Sequence, residues 1–188
     1  MPRREGPLAI PVVDVPSGTA HEQLRGRRRL LLAGTLDAAG ATQLCAELMA
    51  LDGRSGDPVE VIVNSDGGPL ADVLAVLDVI GSMRARVDTT CLGRAKGTAA
   101  IVLARGTGHR RASSHAVITL RVDTDEHVDS PPDRVDEYLA ERRAVRQNVV
   151  AILAEATGRN AEELEHQLDH GAPLDARAAA AWGLIDPV

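Results

Sequence analysis

The sequence predicts an α/β fold built around a largely parallel sheet. Three observations carry that prediction. Short apolar runs of strand length alternate with apolar runs at helical spacing as far as about residue 106, the pattern of repeated βα units. Between Val61 and Gly106 a strand that ends in glycine and leads into a helix occurs twice in tandem. The second half carries one long helical pattern, from about Asp133 to Ala156. A chain of 188 residues, 44% hydrophobic and 26% charged, fits a single globular domain spanning residues 1–188 with a core of its own. With no Phe, one Tyr and one Trp, that core must be aliphatic.

Taken in order, residues 1–20 are proline-rich and predict an arm, partly mobile. Arg25-Gly26-Arg27-Arg28-Arg29 then precedes Leu30-Leu31-Leu32. This basic cluster reads either as the solvated edge of a strand or as a site for an acidic partner or neighbouring subunit. Residues 37–51 form a helix with Leu44, Leu48 and Leu51 on one face. Val59, Val61 and Val63 alternate in a strand ending at Asn64, while Ile62 fills the opposite face, as in a strand covered on both sides. The turn Ser65-Asp66-Gly67-Gly68 follows. Pro69 suits the first position of a helix, and Leu70, Val73, Leu74, Leu77 and Ile80 repeat along it.

The second unit runs from a strand, Val87 to Leu92, through Gly93 into a helix of small residues, about Arg94 to Ala104. His115 to Leu120 is a further strand. Asp123 to Asp129 is a polar, acidic run. After Pro131-Pro132, the helix of about 133–156 carries the stripe Val135, Leu139, Val145, Val149, Ile152 and Leu153 and ends at Gly158; at ~1.5 Å per residue it is about 35 Å long. Asn160 with Glu163 forms a capping box. Asp175 caps the last helix and Gly183 ends it.

Two glycine turns that each present backbone N–H groups at a helix N-terminus are the usual material of an oxyanion hole. The net charge of −6 argues against nucleic acid as a partner. Cys45 and Cys91 lack the spacing of a metal site or redox motif, which favours a reduced, cytoplasmic protein. No apolar run reaches the ~18 residues of a membrane span, and the N-terminus makes a poor signal peptide. The histidines show no metal-ligand spacing, so neither a metal nor another cofactor is expected.

The segment V-N-S-D-G-G resembles the I-N-S-P-G-G of ClpP, the proteolytic subunit of the Clp proteases. C-L-G-R-A-K-G-T-A-A resembles the family's C-x-G-x-A-A-S-M-G-A nucleophile segment. A-T-G-R-N-A-E-E-L and A-x-x-W-G-L-I-D near the end extend the likeness over about Leu30 to Asp186. The resemblance implies a ClpP/crotonase-type α/β fold: repeated strand–turn–helix units, a mixed sheet core and a protruding handle helix, the handle region spanning 123–157. It also implies a homo- or hetero-oligomer with ClpP-type subunits, a heptameric ring that can pair into a double ring, and a serine peptidase site.

The residues that resemblance assigns to catalysis are absent here. The serine position falls on Gly97, the histidine position on Leu120 of Val117-Ile118-Thr119-Leu120, and the aspartate position near Gly171. The N–H groups of Gly68 and Thr98 would form the oxyanion pair. Lys96, the one lysine among 21 basic residues, would be a cation in the pocket or a solvated side chain at a helix start. The family's arginine–aspartate pair between rings reads His170 and Gly171. The near absence of aromatics counts against the docking of an ATPase. The resulting expectation is a non-catalytic ring subunit, structural or regulatory, in a Clp-type assembly. Two alternatives are an acyl- or thioester-binding crotonase-type protein or enzyme that uses the remaining backbone donors, and a self-assembling protein unrelated to proteolysis.

Overall fold

The structure is a computed structural model and describes residues 17–122 and 135–187. In chain order its elements are α1 (Ser17–Gly26), β1 (Arg29–Thr35), α2 (Ala38–Asp52), β2 (Val59–Gly67), α3 (Leu70–Ser82), β3 (Val87–Lys96), α4 (Thr98–Arg105), β4 (Arg110–Ala112), β5 (Val117–Thr119), α5 (Val135–Thr157), α6 (Ala161–His170) and α7 (Ala176–Trp182). The strands run β1-β2-β3-β4, with β5 also on β3. Among the described residues every strand pair is parallel, and an isolated antiparallel bridge joins Ile118 and Leu174. The α/β class and the largely parallel sheet that the sequence predicts are both present.

The predicted strand ends were too early. β2 continues through the expected turn to Gly67, with a break in register between Val63 and Ser65. β3 continues past Gly93 to Lys96, and the helix begins at Thr98 rather than Arg94. The cause is a second partner. Thr89–Cys91 pair with β4, and after Gly93, at φ +91, residues Arg94–Lys96 pair with β5. Glycine takes that dihedral without strain. It lets β3 bend from one neighbour to the next. The expected arm includes a helix, α1, from Ser17. The rest of that expectation, residues 1–16, and the acidic run at 123–129 lie outside the described residues.

Apolar burial is concentrated on one side of the sheet. Leu30, Leu32, Val59, Val61, Val63, Val87 and Cys91 face Leu44, Leu48, Leu51, Val73, Val76, Leu77 and Ile80 of α2 and α3. α4 is buried from Thr98 to Ala104, which its run of small residues permits. The other sheet face is open: Leu31 is 39% and Leu92 45% exposed, and Ile62 is half-buried. The described residues do not supply the double cover expected at Ile62, whereas parallel sheets are usually covered on both faces.

Arginines hold the connections. Arg28, at φ +58, donates to the carbonyls of Leu51 (2.9 Å), Ser55 (3.2 Å), Asp57 (2.6 Å) and Pro58 (3.2 Å), so it staples the loop before β2. Arg29 pairs with Glu60 on the adjacent strand at 2.8 Å. These two members of the basic cluster act within the fold. Arg110 donates to Ala104, Ala156 and Gly183 carbonyls and meets Asp186, joining the ends of α4, α5 and α7. Arg146 pairs with Glu165 and with Asp169 (2.8 Å), locking α5 to α6. The long predicted helix is present as α5. The capping box at Asn160 and Glu163, and the Asp175 and Gly183 caps, are also present.

Candidate functional site: a cleft at a glycine elbow

The C-terminal ends of the parallel strands open into a cleft of about 910 Å³. Ligand sites in open α/β sheets form at this end. β2 and its turn contribute Asp66, Gly67 and Gly68; β3 contributes Lys96; and α5 forms a wall. That wall is Tyr138, Glu141, Arg142 and Val145, spaced i, i+3, i+4, i+7 on one helix face.

Gly97 sits at the bend between β3 and α4, at φ +52 and ψ −124. Its N–H donates to the Thr119 carbonyl at 2.7 Å, and its carbonyl accepts from Ala100 and Ile101. This is a tight strand-to-helix elbow in a backbone region that L side chains rarely occupy. The elbow would present a side chain, if one were there, to the cleft. A Cβ would meet the Arg121 carbonyl at 3.4 Å and the Asp66 carbonyl at 3.9 Å, so there is room for one.

The other two sequence-predicted positions behave differently. The strand register places Leu120 one residue beyond the Lys96–Thr119 pair, hence beside Gly97. Its side chain is fully buried and is not part of the cleft lining, which takes Thr119, Arg121 and Val122 instead. Gly171 does line the cleft, as the C-cap of α6, but a Cβ there would collide with the Gln167 carbonyl. The structure thus brings Gly97 and Gly171 to the cleft and withholds Leu120. No histidine, cysteine or serine is among the described residues lining it. His166 and His170 pack edge to face on the exposed side of α6, with ring centroids 5.2 Å apart. Among the described residues no group of three or more metal-ligating side chains converges.

The expected oxyanion pair needs a correction. The Gly68 N–H does not stand open: it donates to Thr98 Oγ1 at 2.8 Å, and the same hydroxyl donates back to the Gly68 carbonyl at 3.2 Å. Close approach makes this possible. A Cβ on Gly67 (φ +87) would stand 2.5 Å from the Lys96 carbonyl and 3.0 Å from Thr98 Oγ1, and one on Gly68 would collide with Leu36. Only glycines let the two turns come this near. Thr98 itself is completely buried.

Lys96 is also placed differently from the sequence reading. It ends β3 instead of starting a helix, and its Nζ lies 3.2 Å from Asp66, which Arg94 also holds at 2.6 Å. Hydrogen bonds from Arg94 and then Lys96 lower the Asp66 pKa. Lys96 is therefore a paired cation at the rim. Asp66 and the α5 wall were not singled out from the sequence. Asp66 could have been: Arg94 and Lys96, two apart on the adjacent strand, share its face. The wall could not, because helical period does not say which face meets which cleft.

This fold and cleft define an α/β protein with a glycine elbow of the kind that serves acyl transfer when a nucleophile occupies it. The chain belongs to the Clp protease family, whose profile matches residues 17–188. It is 33% identical over 173 residues to the ATP-dependent Clp protease proteolytic subunit 1 of Nocardia farcinica, covering 89% of this chain and 86% of that protein. It is 31% identical over 163 residues to subunit 2 of Corynebacterium jeikeium, covering 85% and 78%, and 29% identical over 163 residues to subunit 1 of Thermobifida fusca, covering 85% and 73%. Among the described residues no helix is long and apolar enough to cross a membrane.

Proposed function

We propose that this protein is a non-catalytic subunit of a Clp-type protease assembly, with a structural or regulatory role. The observation that carries the reading is Gly97: the elbow is kept, and the residue at its apex has no side chain. Covalent catalysis needs a nucleophile and an adjacent base. The described lining of the cleft offers only Thr35, Thr119 and Tyr138 as hydroxyls, with no imidazole beside them. Triad members act as a unit, and loss of one costs several orders of magnitude in rate.

The relatives named as proteolytic subunits support membership in a multi-subunit assembly. The proposed form is a heptameric ring, alone or mixed with catalytic subunits, in the cytoplasm. The open sheet face with Leu31 and Leu92 supports a partner chain. Its polar members, with Glu60 bound to Arg29 and Thr90, do not suit an aromatic-rich docking pocket, so no ATPase is assigned to it. The acyl-binding alternative loses support because the Gly68 donor is already engaged by Thr98.

The test is mass measurement of the native complex, alone and mixed with a catalytic Clp subunit, together with fluorophosphonate labelling. The expected result is a ring mass, incorporation into mixed rings and no label on this chain. A monomer at tens of micromolar that ignores the catalytic subunit, or stoichiometric labelling of any Ser or Thr, overturns the proposal.

A further inference from the structure

We propose that the Thr98 hydroxyl, packed behind the cleft lining, is a built-in partner of the Gly68 N–H, an autoinhibitory contact that withholds this donor from a ligand carbonyl or carboxylate in the cleft. The inference rests on reading the cleft as a degenerate acyl-transfer site. Its test reads a backbone amide and not activity, so the two can fail separately.

The geometry is that of a donor already serving an oxygen. Donors that stabilise an oxyanion stand about 2.7–3.1 Å from it. Thr98 Oγ1 stands 2.8 Å from the Gly68 nitrogen. The hydroxyl proton is directed to the Gly68 carbonyl at 3.2 Å, so the oxygen offers its lone pair to the N–H. Both ends of the contact are fixed. Thr98 is the first residue of α4 and is fully buried, and Gly67 leaves no gap between the turns. A ligand oxygen reaching the Gly68 N–H would have to displace a fully buried hydroxyl. An unmade buried hydrogen bond carries the full desolvation penalty of its groups.

The consequence concerns what the cleft can recognise. Its described charged groups are the side chains at the rim and wall, Asp66, Lys96, Arg121, Glu141 and Arg142, around the apolar Leu70, Val122 and Val145. A ligand would be held by side-chain charge and apolar contact, without a hydrogen bond from the Gly68 N–H.

The test uses the full-length protein, deuterated and labelled with 15N-glycine, in wild-type, Thr98→Ala, Thr98→Val and Thr98→Ser forms. Formate serves as the small carboxylate probe. In wild type and Thr98→Ser the Gly68 amide should exchange slowly and stay unmoved by formate. In Thr98→Val and Thr98→Ala its exchange should quicken by roughly tenfold, the scale of one lost hydrogen bond. In Thr98→Ala formate should shift it. Thr98→Val keeps the side-chain volume and answers the exchange question if the alanine variant fails to fold. Equal exchange at Gly68 in wild type and Thr98→Val, or a formate shift at Gly68 in wild type, overturns the proposal.

Discussion

Replacing Gly97 by alanine asks whether the elbow is held in place by its surroundings. The glycine lies at φ +52 and ψ −124, a region that costs a side-chain-bearing residue about 1–3 kcal/mol. Steric overlap adds little, because the new Cβ would find its nearest neighbours at 3.4 and 3.9 Å. Backbone strain therefore sets the magnitude. For a chain of this length 1 kcal/mol corresponds to about 2–4 °C in Tm, so Gly97→Ala should lower Tm by roughly 2–12 °C. Gly97→Ser should lose a similar amount and should still resist fluorophosphonates, because Leu120 supplies no base. Gly26→Ala is the control: a Cβ there meets nothing within 4 Å, and its φ is not positive. Protein concentration must be held constant, since assembly raises apparent stability. If Gly97→Ala melts together with wild type, the elbow relaxes freely and the argument from retained geometry fails. Labelling of Gly97→Ser would reveal a base that the described cleft does not contain.

Arg110→Met should cost about 3 kcal/mol in denaturant unfolding, since it strips a charged donor from three carbonyls and leaves Asp186 without its guanidinium. A loss below about 1 kcal/mol would show that water replaces the arginine. Asp66→Asn tests the rim cluster by pH. Arg94 and Lys96 hold the folded-state pKa of Asp66 below its ordinary value, so its contribution is present above about pH 4 and is lost as pH falls through that depressed value. The Tm gap between wild type and Asp66→Asn should accordingly close on acidification; a gap that widens there would reverse the assignment. Cys91 is buried, and desolvation pushes its thiol up to about 11, so it should resist a disulfide reagent at pH 8 until the chain unfolds. Two rapidly reacting thiols in the native protein would contradict the described packing.

Local physics fixed much of this protein in advance. The apolar periods of α2, α3 and α5, the capping box at Asn160 and Glu163, and the Asp175 and Gly183 caps depend on residues within a few positions of one another. The first glycine turn was legible for the same reason, because a backbone bend that excludes side chains leaves its mark in the sequence; the second was expected at Gly93, and Gly97, which lies at the actual bend, stood out only through the family resemblance. What the sequence could not decide involved segments far apart in the chain. β3 ran four residues past its expected end because β5, more than twenty residues onward, paired with Arg94–Lys96. That pairing carried Lys96 out of a helix and onto Asp66. Which face of α5 walls the cleft, and which face of the sheet stays open beside Ile62, depended on packing between elements. The state of the Gly68 donor was the furthest from sight. A threonine beside an elbow reads as an ordinary helix start until the chain, thirty residues apart, closes to 2.8 Å and its hydroxyl takes up the Gly68 N–H.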